Sequence, residues 1–156
     1  MTTATRADAL ALLGAFLDGD EHYRAAADVY GDGGRPALER ALDLFLAQPA
    51  LGFVWLAFEG TGEARRAVGA CVVCFAISTS RGTLVAKLDD VHVAQAWQGR
   101  GVGSAMLHSL AAHLRAAGAT RIDCGCHRDN IDAWRFYERL GFRPLGEERI
   151  ALLLTP

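Results

Sequence analysis

The sequence predicts a mixed α/β fold, with a mostly antiparallel central sheet flanked by helices. Three observations carry that prediction. Three apolar runs, Phe53 to Phe58, Ala67 to Ile77 and Leu84 to Val93, are separated only by Gly60-Thr61-Gly62 and Ser80-Arg81-Gly82. Short glycine turns of this kind join neighbouring antiparallel strands, so the runs read as a meander. After Val93 the apolar period changes to that of a helix, and a strand and another helix follow. The composition of 156 residues, 51% hydrophobic and 22% charged, fits one globular domain over residues 1–156. A chain of this length buries roughly 68–70% of its unfolded surface and needs no staples.

In chain order, Leu10, Leu13 and Leu17 recur at helical spacing and predict a helix from about Asp8 to Asp18. A second runs from Pro36 to Gln48, where proline suits the first turn and Leu38, Leu42, Phe45 and Leu46 form the apolar face. Asp18 to Arg35 between them is polar and helical in part, with Gly31-Asp32-Gly33-Gly34 as a loop. Beyond the meander, Val102, Met106, Leu107, Leu110 and Leu114 define a helix that stops at Gly118. A strand at Thr120 to Cys126, a helix from about Ile131 to Leu140, and two short strands within Phe142 to Leu154 complete the order.

Net charge is -2, so no basic excess exists to hold a phosphate backbone, and nucleic acid is not an expected partner. No apolar run approaches the ~20 residues of a membrane span. Ala9 to Leu17 has the length of a signal-peptide core, but Asp8 precedes it and Asp18-Gly19-Asp20 replaces a small-residue cleavage site. A cytoplasmic protein is expected. Four cysteines raise a metal reading, through Cys71-x-x-Cys74 and the cluster Cys124, Cys126, His127. Residues three apart on a strand point to opposite faces, so Cys71 and Cys74 cannot share a zinc ion. Cys124 and Cys126 share a face with Ile122 and read as buried structural thiols; no metal is expected.

The stretch Asp89-Asp90-Val91-His92-Val93, followed by Gln98-Gly99-Arg100-Gly101-Val102-Gly103-Ser104, carries the chemistry. A strand enters a glycine-rich turn that opens directly into a helix. Such a turn presents unpaired N–H groups and a positive helix end to a phosphate or pyrophosphate. Arg100 can add a charge-assisted contact. A P-loop requires lysine after its second glycine, and the one lysine of the chain is Lys87. The dinucleotide fingerprint G-x-G-x-x-G fails too, because Ser104 or Met106 stands at its last position. Asp123 lies where a ribose-binding acid would stand, but the loop follows an antiparallel meander and not a first βαβ unit.

The third pattern, Gln98-x-x-Gly101-x-Gly103 after a strand, resembles the acetyl-CoA pyrophosphate loop of the GNAT superfamily of N-acetyltransferases. Asn130-x-x-Ala133-x-x-Phe136-Tyr137-Glu138-x-x-Gly141-Phe142 is similar to a second segment of that family. Element order agrees along nearly the whole chain, and residue matches fall within about 89–142. One departure is Gln95, where the family commonly has proline. The resemblance implies a GNAT-like fold with an acetyl-CoA core at about 84–142 and acceptor-side helices at about 8–48. It implies that backbone groups of Val91 and Val93, with His92 between them, meet the pantetheine arm where the sheet splays open. Backbone N–H groups of Gln98, Gly99, Arg100, Gly101, Val102, Gly103 and Ser104 would hold the pyrophosphate. Asn130 would bond the pantetheine or a nearby backbone group, and Tyr137 would protonate the leaving thiolate. Acetyl-CoA is thus the expected co-substrate, and a homodimer paired through segments such as Arg149 to Leu154 a family-level expectation.

The acceptor side follows from chemistry. An amine with a pKa of ~10.4 costs about 4.6 kcal/mol to deprotonate at pH 7, so a base or water relay helps. Leu88-Asp89-Asp90-Val91-His92-Val93 is similar to the L-E-D-x-x-V strand of polyamine-type members, which puts Asp89 first and Asp90 second as base. His92 has the better intrinsic pKa, but alternation along a strand sets it on the face opposite Asp89. Asp18, Asp20, Glu21 and Asp28, with His22, Tyr23 and Tyr30, form an acidic, aromatic segment suited to a cationic amine, expected to be small, with an aminoglycoside-like polyamine, an amino acid and a protein N-terminus left open as acceptors. The alternatives are an acyl-CoA-binding regulatory module without turnover, and an acetyltransferase acting on protein N-termini or lysines.

Overall fold

The computed structural model describes residues 1–25, 31 and 33–146, and the chain divides into two compact units. The first comprises residues 1–19 and 33–125, the second residues 20–32 and 126–156. The first unit contains helices α1 (Arg6–Gly19) and α3 (Gly34–Ala47), then strands β1 (Gly52–Glu59), β2 (Arg66–Ser78) and β3 (Thr83–Val93). Helix α4 (Val102–Ala116) and strand β4 (Ala119–Cys124) follow. The second unit contains α2 (Glu21–Ala25) and α5 (Ile131–Arg139).

The sheet has the order β1-β2-β3-β4. The first three strands are antiparallel and β4 runs parallel to β3, with α4 as the crossover. One face is covered by α1 and α3. Ala9, Leu10, Leu12 and Leu13 of α1 and Leu38 and Leu42 of α3 pack with Val54, Ala70 and Val72. Each fully buried leucine contributes about 1.5–3 kcal/mol. Arg6 ties the two helices together, its guanidinium donating to the Asp43 carboxylate at 2.6 Å and to the Glu39 carbonyl at 3.0 Å. The other face receives α4, where Met106, Leu107, Leu110 and Leu114 of the stripe read from the sequence are buried and Val102 is half-buried. Gly118, at φ +85°, closes α4 after its last turn.

Three expectations require correction. β4 ends at Cys124, not Cys126, because its last paired residue on β3 is Leu88, opposite Cys124. Without a partner strand, Gly125 and Cys126 leave the ladder, so Cys126 is not part of a strand face. Of the four thiols only Cys71 is fully buried; Cys74, Cys124 and Cys126 are half-buried, and none of the four forms a disulfide among the described residues. Phe142 to Leu145, expected to begin a strand, have no ladder, and residues 147–156 lie outside the described residues. The segments proposed for dimer pairing are therefore not described, nor are Asp28 and Tyr30.

Candidate functional site

The site begins with a break in the regularity of β3. Val72 pairs with Asp89 and Ala70 with His92, so two steps along β2 match three along β3. One extra residue is therefore inserted between Asp89 and His92, a β-bulge. Asp90 sits in it at φ +50°, alone among the described non-glycine residues in having a positive φ. Asp90 and Val91 both stand opposite Cys71, which has no residue of its own in the register.

This bulge overturns the expectation that Asp89 and His92 occupy opposite faces. Alternation assumes a period of two, and an inserted residue shifts it. Asp89 and His92 pair with Val72 and Ala70, two residues apart on β2, so both belong to the face covered by α1 and α3. Phe16 of α1 confirms the placement, its ring lying 5.9 Å from that of His92. Burial pushes the His92 pKa below the ordinary histidine value, so the imidazole is neutral at pH 7. Asp89 accepts a 2.8 Å charged hydrogen bond from Lys87 Nζ, both side chains being about one-third exposed at 32% and 40%. Lys87 precedes Asp89 by two and so shares its face, a neighbour that the period of two made legible but the sequence reading passed over.

At the same bulge β3 parts from β4. Pairing with β4 ends at Leu88, and Asp89–Val93 continue against β2 alone within the first unit. Ala94 N donates to Val68 O at 2.9 Å, which directs alternate residues toward β2 and turns the polar groups of Val93 to the open edge. The Val93 carbonyl accepts there from Gln98 Nε2 at 2.9 Å. The chain then makes one 3-10 turn, Gln95–Trp97. Gln95 is its first residue, a position suited to proline's fixed φ.

Gly99 and Gly101 follow with φ of +70° and +81°, and Gly101 is the N-cap of α4. No side chain caps this helix and no acid stands in its first turn. Its first backbone bond joins Ala105 N to Gly101 O, so Val102, Gly103 and Ser104 keep N–H groups without an intrahelical acceptor. The positive end of a fifteen-residue helix is thus left without a side-chain cap among the described residues. A Cβ on Gly99 or Gly101 would meet nothing within 4 Å, so these glycines serve backbone conformation and open approach rather than tight packing. Two arginines that the sequence did not bring together flank Trp97: the Arg66 guanidinium lies 5.2 Å and that of Arg100 5.3 Å from its ring. This holds positive charge beside the loop.

In the second unit, Asn130 caps α5, its Oδ1 accepting from Ala133 N at 3.1 Å. The other end closes as a Schellman motif: Gly141 N donates to Glu138 O at 2.9 Å and Phe142 N to Tyr137 O at 3.1 Å. Tyr137 stacks edge-on between Phe136 and Phe142, at 5.2 and 5.3 Å. The segment from Asn130 to Phe142 therefore fixes one short helix at both ends and holds the half-buried ring of Tyr137 on it. Trp134 adds a bond from Nε1 to the His127 carbonyl at 3.1 Å. Among the described residues no group of three or more His, Cys, Asp or Glu converges as metal ligands. No helix among them is long and apolar enough to cross a membrane.

A mixed α/β sheet flanked by helices, in which a bulged strand runs into a glycine turn and a helix, is an acyltransferase fold. The chain belongs to the acetyltransferase (GNAT) family, whose model matches residues 19–142. Solved structures share the fold. A probable acetyltransferase superposes with a TM-score of 0.80 at 20% identity, over 100% of this chain and 96% of its own. Glucosamine-6-phosphate N-acetyltransferase from Arabidopsis thaliana gives 0.63 at 14%, over 96% and 94%. AAC(6')-Iy, solved with the bisubstrate analog CoA-S-monomethyl-acetylneamine, gives 0.69 at 13%, over 100% and 95%. No curated protein sequence matches the chain.

Proposed function

We propose that the protein is an N-acetyltransferase that moves the acetyl group of acetyl-CoA to the primary amine of a small molecule, by direct attack in a ternary complex. The observation that carries this reading is the amino end of α4 behind Gly99 and Gly101, without a side-chain cap, set beside the stretch of β3 that pairs with β2 and no longer with β4. Family membership and a relative solved with a CoA analog support it. Acetyl-CoA, when bound, supplies the activated acyl carbon and a thiolate leaving group.

The chain's own residues have the following work in this reading. N–H groups from Gln98 to Ser104 bind the pyrophosphate, with charge from Arg100. Polar backbone atoms of Val91 and Val93 pair with the amides of the pantetheine arm as an added strand, Gln98 Nε2 releasing the Val93 carbonyl. Asn130 holds α5 in register through its cap, and Tyr137 donates its phenolic proton to the leaving sulfur. Asp89 and Asp90 take the proton that the amine loses, directly or through water. His92, neutral and on the face of Asp89, is an additional proton acceptor.

Thermal unfolding with acetyl-CoA tests the reading. At 100 times the dissociation constant a ligand stabilises the folded state by about 2.7 kcal/mol. For a domain of this size that raises the melting temperature by roughly 5–11 °C. Thiol release on adding amines then establishes turnover. An unchanged melting temperature at millimolar acetyl-CoA refutes the proposal, and stabilisation without thiol release on any amine reduces it to acyl-CoA binding.

A further inference from the structure

Lys87 and Asp89 lie side by side on the acceptor face of β3, their charged atoms 2.8 Å apart, each partly open to solvent. They end the regular part of the strand, immediately before the bulge. Cys74, paired with Lys87 across β2, senses the whole cluster. Its thiol pKa is raised by burial, and among charges Asp89 and Asp90 raise it while Lys87 lowers it. Among the described residues, this face also holds neutral His92 with Phe16 of α1 against it and the protonated thiol of Cys74, and Asp90 in the bulge acts electrostatically on that thiol. The polyamine-type strand motif read at Leu88 to Val93 leaves out Lys87.

We propose that the acceptor is an amine carrying its own carboxylate, an α-amino acid, which exchanges charges with the Lys87–Asp89 pair. This rests on the acetyl-transfer reading above and names its acceptor class. In an α-amino acid, standard bond lengths place the nitrogen about 2.7–3.5 Å from the carboxylate oxygens. That matches the spacing of the protein pair, so the two can lie antiparallel: the amine on Asp89, the carboxylate on Lys87. Each charge meets its opposite, and Lys87 is released from Asp89 only when an anion replaces it. A polyamine offers Lys87 a like charge, and a monoamine without a carboxylate leaves Lys87 in competition with it for the Asp89 carboxylate. Lysine suits this role as a compact point charge on a flexible stem.

The experiment compares matched acceptors that differ by the carboxylate alone: phenylalanine with phenylethylamine, tryptophan with tryptamine, ornithine with putrescine. Spermidine serves as the polycation. Thiol release at saturating acetyl-CoA gives kcat/KM for each, and thermal shifts of the CoA-bound protein report binding. The expected result is that at least one amino acid exceeds its decarboxylated partner by about tenfold or more, the scale of a charged hydrogen bond. Lys87→Met then brings that ratio toward one, and Lys87→Arg restores most of it. Preference for the decarboxylated amines or spermidine overturns the inference, as does an unchanged ratio in Lys87→Met. So does stabilisation by acetyl-CoA with no amino acid binding or reacting, which leaves the acetyl-CoA reading standing. Absence of stabilisation by acetyl-CoA sinks both.

Discussion

Gly101 offers a substitution in which stability and ligand binding separate. It caps α4 at φ +81° with open space where a Cβ would stand. Gly101→Val therefore meets no clash, and its cost is conformational. A side chain in the left-handed region costs roughly 1–2 kcal/mol, with a β-branched residue at the upper end. Replacing glycine also removes freedom from the unfolded chain, which returns about 0.4–1 kcal/mol. The net loss is about 1 kcal/mol, or about 2–4 °C in melting temperature for a chain of this size. Gly101→Asp should be nearly neutral. Aspartate tolerates the left-handed region better, and a carboxylate at a helix amino end contributes about 0.3–1 kcal/mol. Its melting temperature should fall within about 2 °C of the wild type. The same carboxylate occupies the field that a pyrophosphate would use. Acetyl-CoA should then give Gly101→Asp little of the roughly 5–11 °C shift expected of the wild type. Paired melting curves with and without acetyl-CoA measure both quantities. A full acetyl-CoA shift in Gly101→Asp would refute the argument that this helix end binds phosphate.

Tyr137→Phe keeps the ring stack on Phe136 and Phe142 and removes only the hydroxyl, so the acetyl-CoA thermal shift should persist while turnover falls about 10²–10⁴-fold. An unchanged kcat removes Tyr137 from proton transfer. The Cys71 thiol is pushed up to about 12 by burial, so it should resist a thiol reagent at pH 8 until the protein unfolds; rapid modification of Cys71 in the native protein contradicts its placement under the sheet. The His92 pKa is lowered by burial, so between that value and the ordinary ~6.5 the unfolded chain binds the extra proton. Stability should fall as pH drops through ~6.5 and level off below the lowered value. Urea midpoints measured from pH 7.5 down to 5 should show that slope, flattened in His92→Gln. An identical slope in the variant would place the titration elsewhere.

What was legible in the sequence is what has a period or a local motif. The stripe of Met106, Leu107, Leu110 and Leu114 repeats at helical spacing and is buried as expected. Gly118 and Gly141 end helices because both take positive φ, at +85° and +88°, where other residues are strained. The glycine turn before α4 was legible for the same reason. What escaped were contacts fixed only by the folded chain. Arg66 and Arg100 are distant in sequence and meet on Trp97 because β2 begins beside the end of β3. The end of β4 was misread because a strand extends as far as its partner pairs with it, and that partner's course is set outside the segment.

The bulge in β3 shows how one such misreading reaches into the chemistry. From Thr83 to Asp89 the strand obeys a period of two, and the pairing of Lys87 with Cys74 and of Asp89 with Val72 follows it. A single inserted residue then shifts the phase, and no composition signal marks it, since Asp90 is as ordinary in a turn or cap as in a bulge. The phase shift carries His92 to the face of Lys87 and Asp89, under Phe16. Pairing with β4 ceases at the same point, so the backbone edge and the charged face become available together. A regular strand could offer one or the other: alternation would send His92 to the side of α4, and continued pairing would consume the edge. The insertion therefore places the proposed pantetheine edge and the proposed acceptor face on adjoining residues of one strand, which direct transfer between two bound substrates requires.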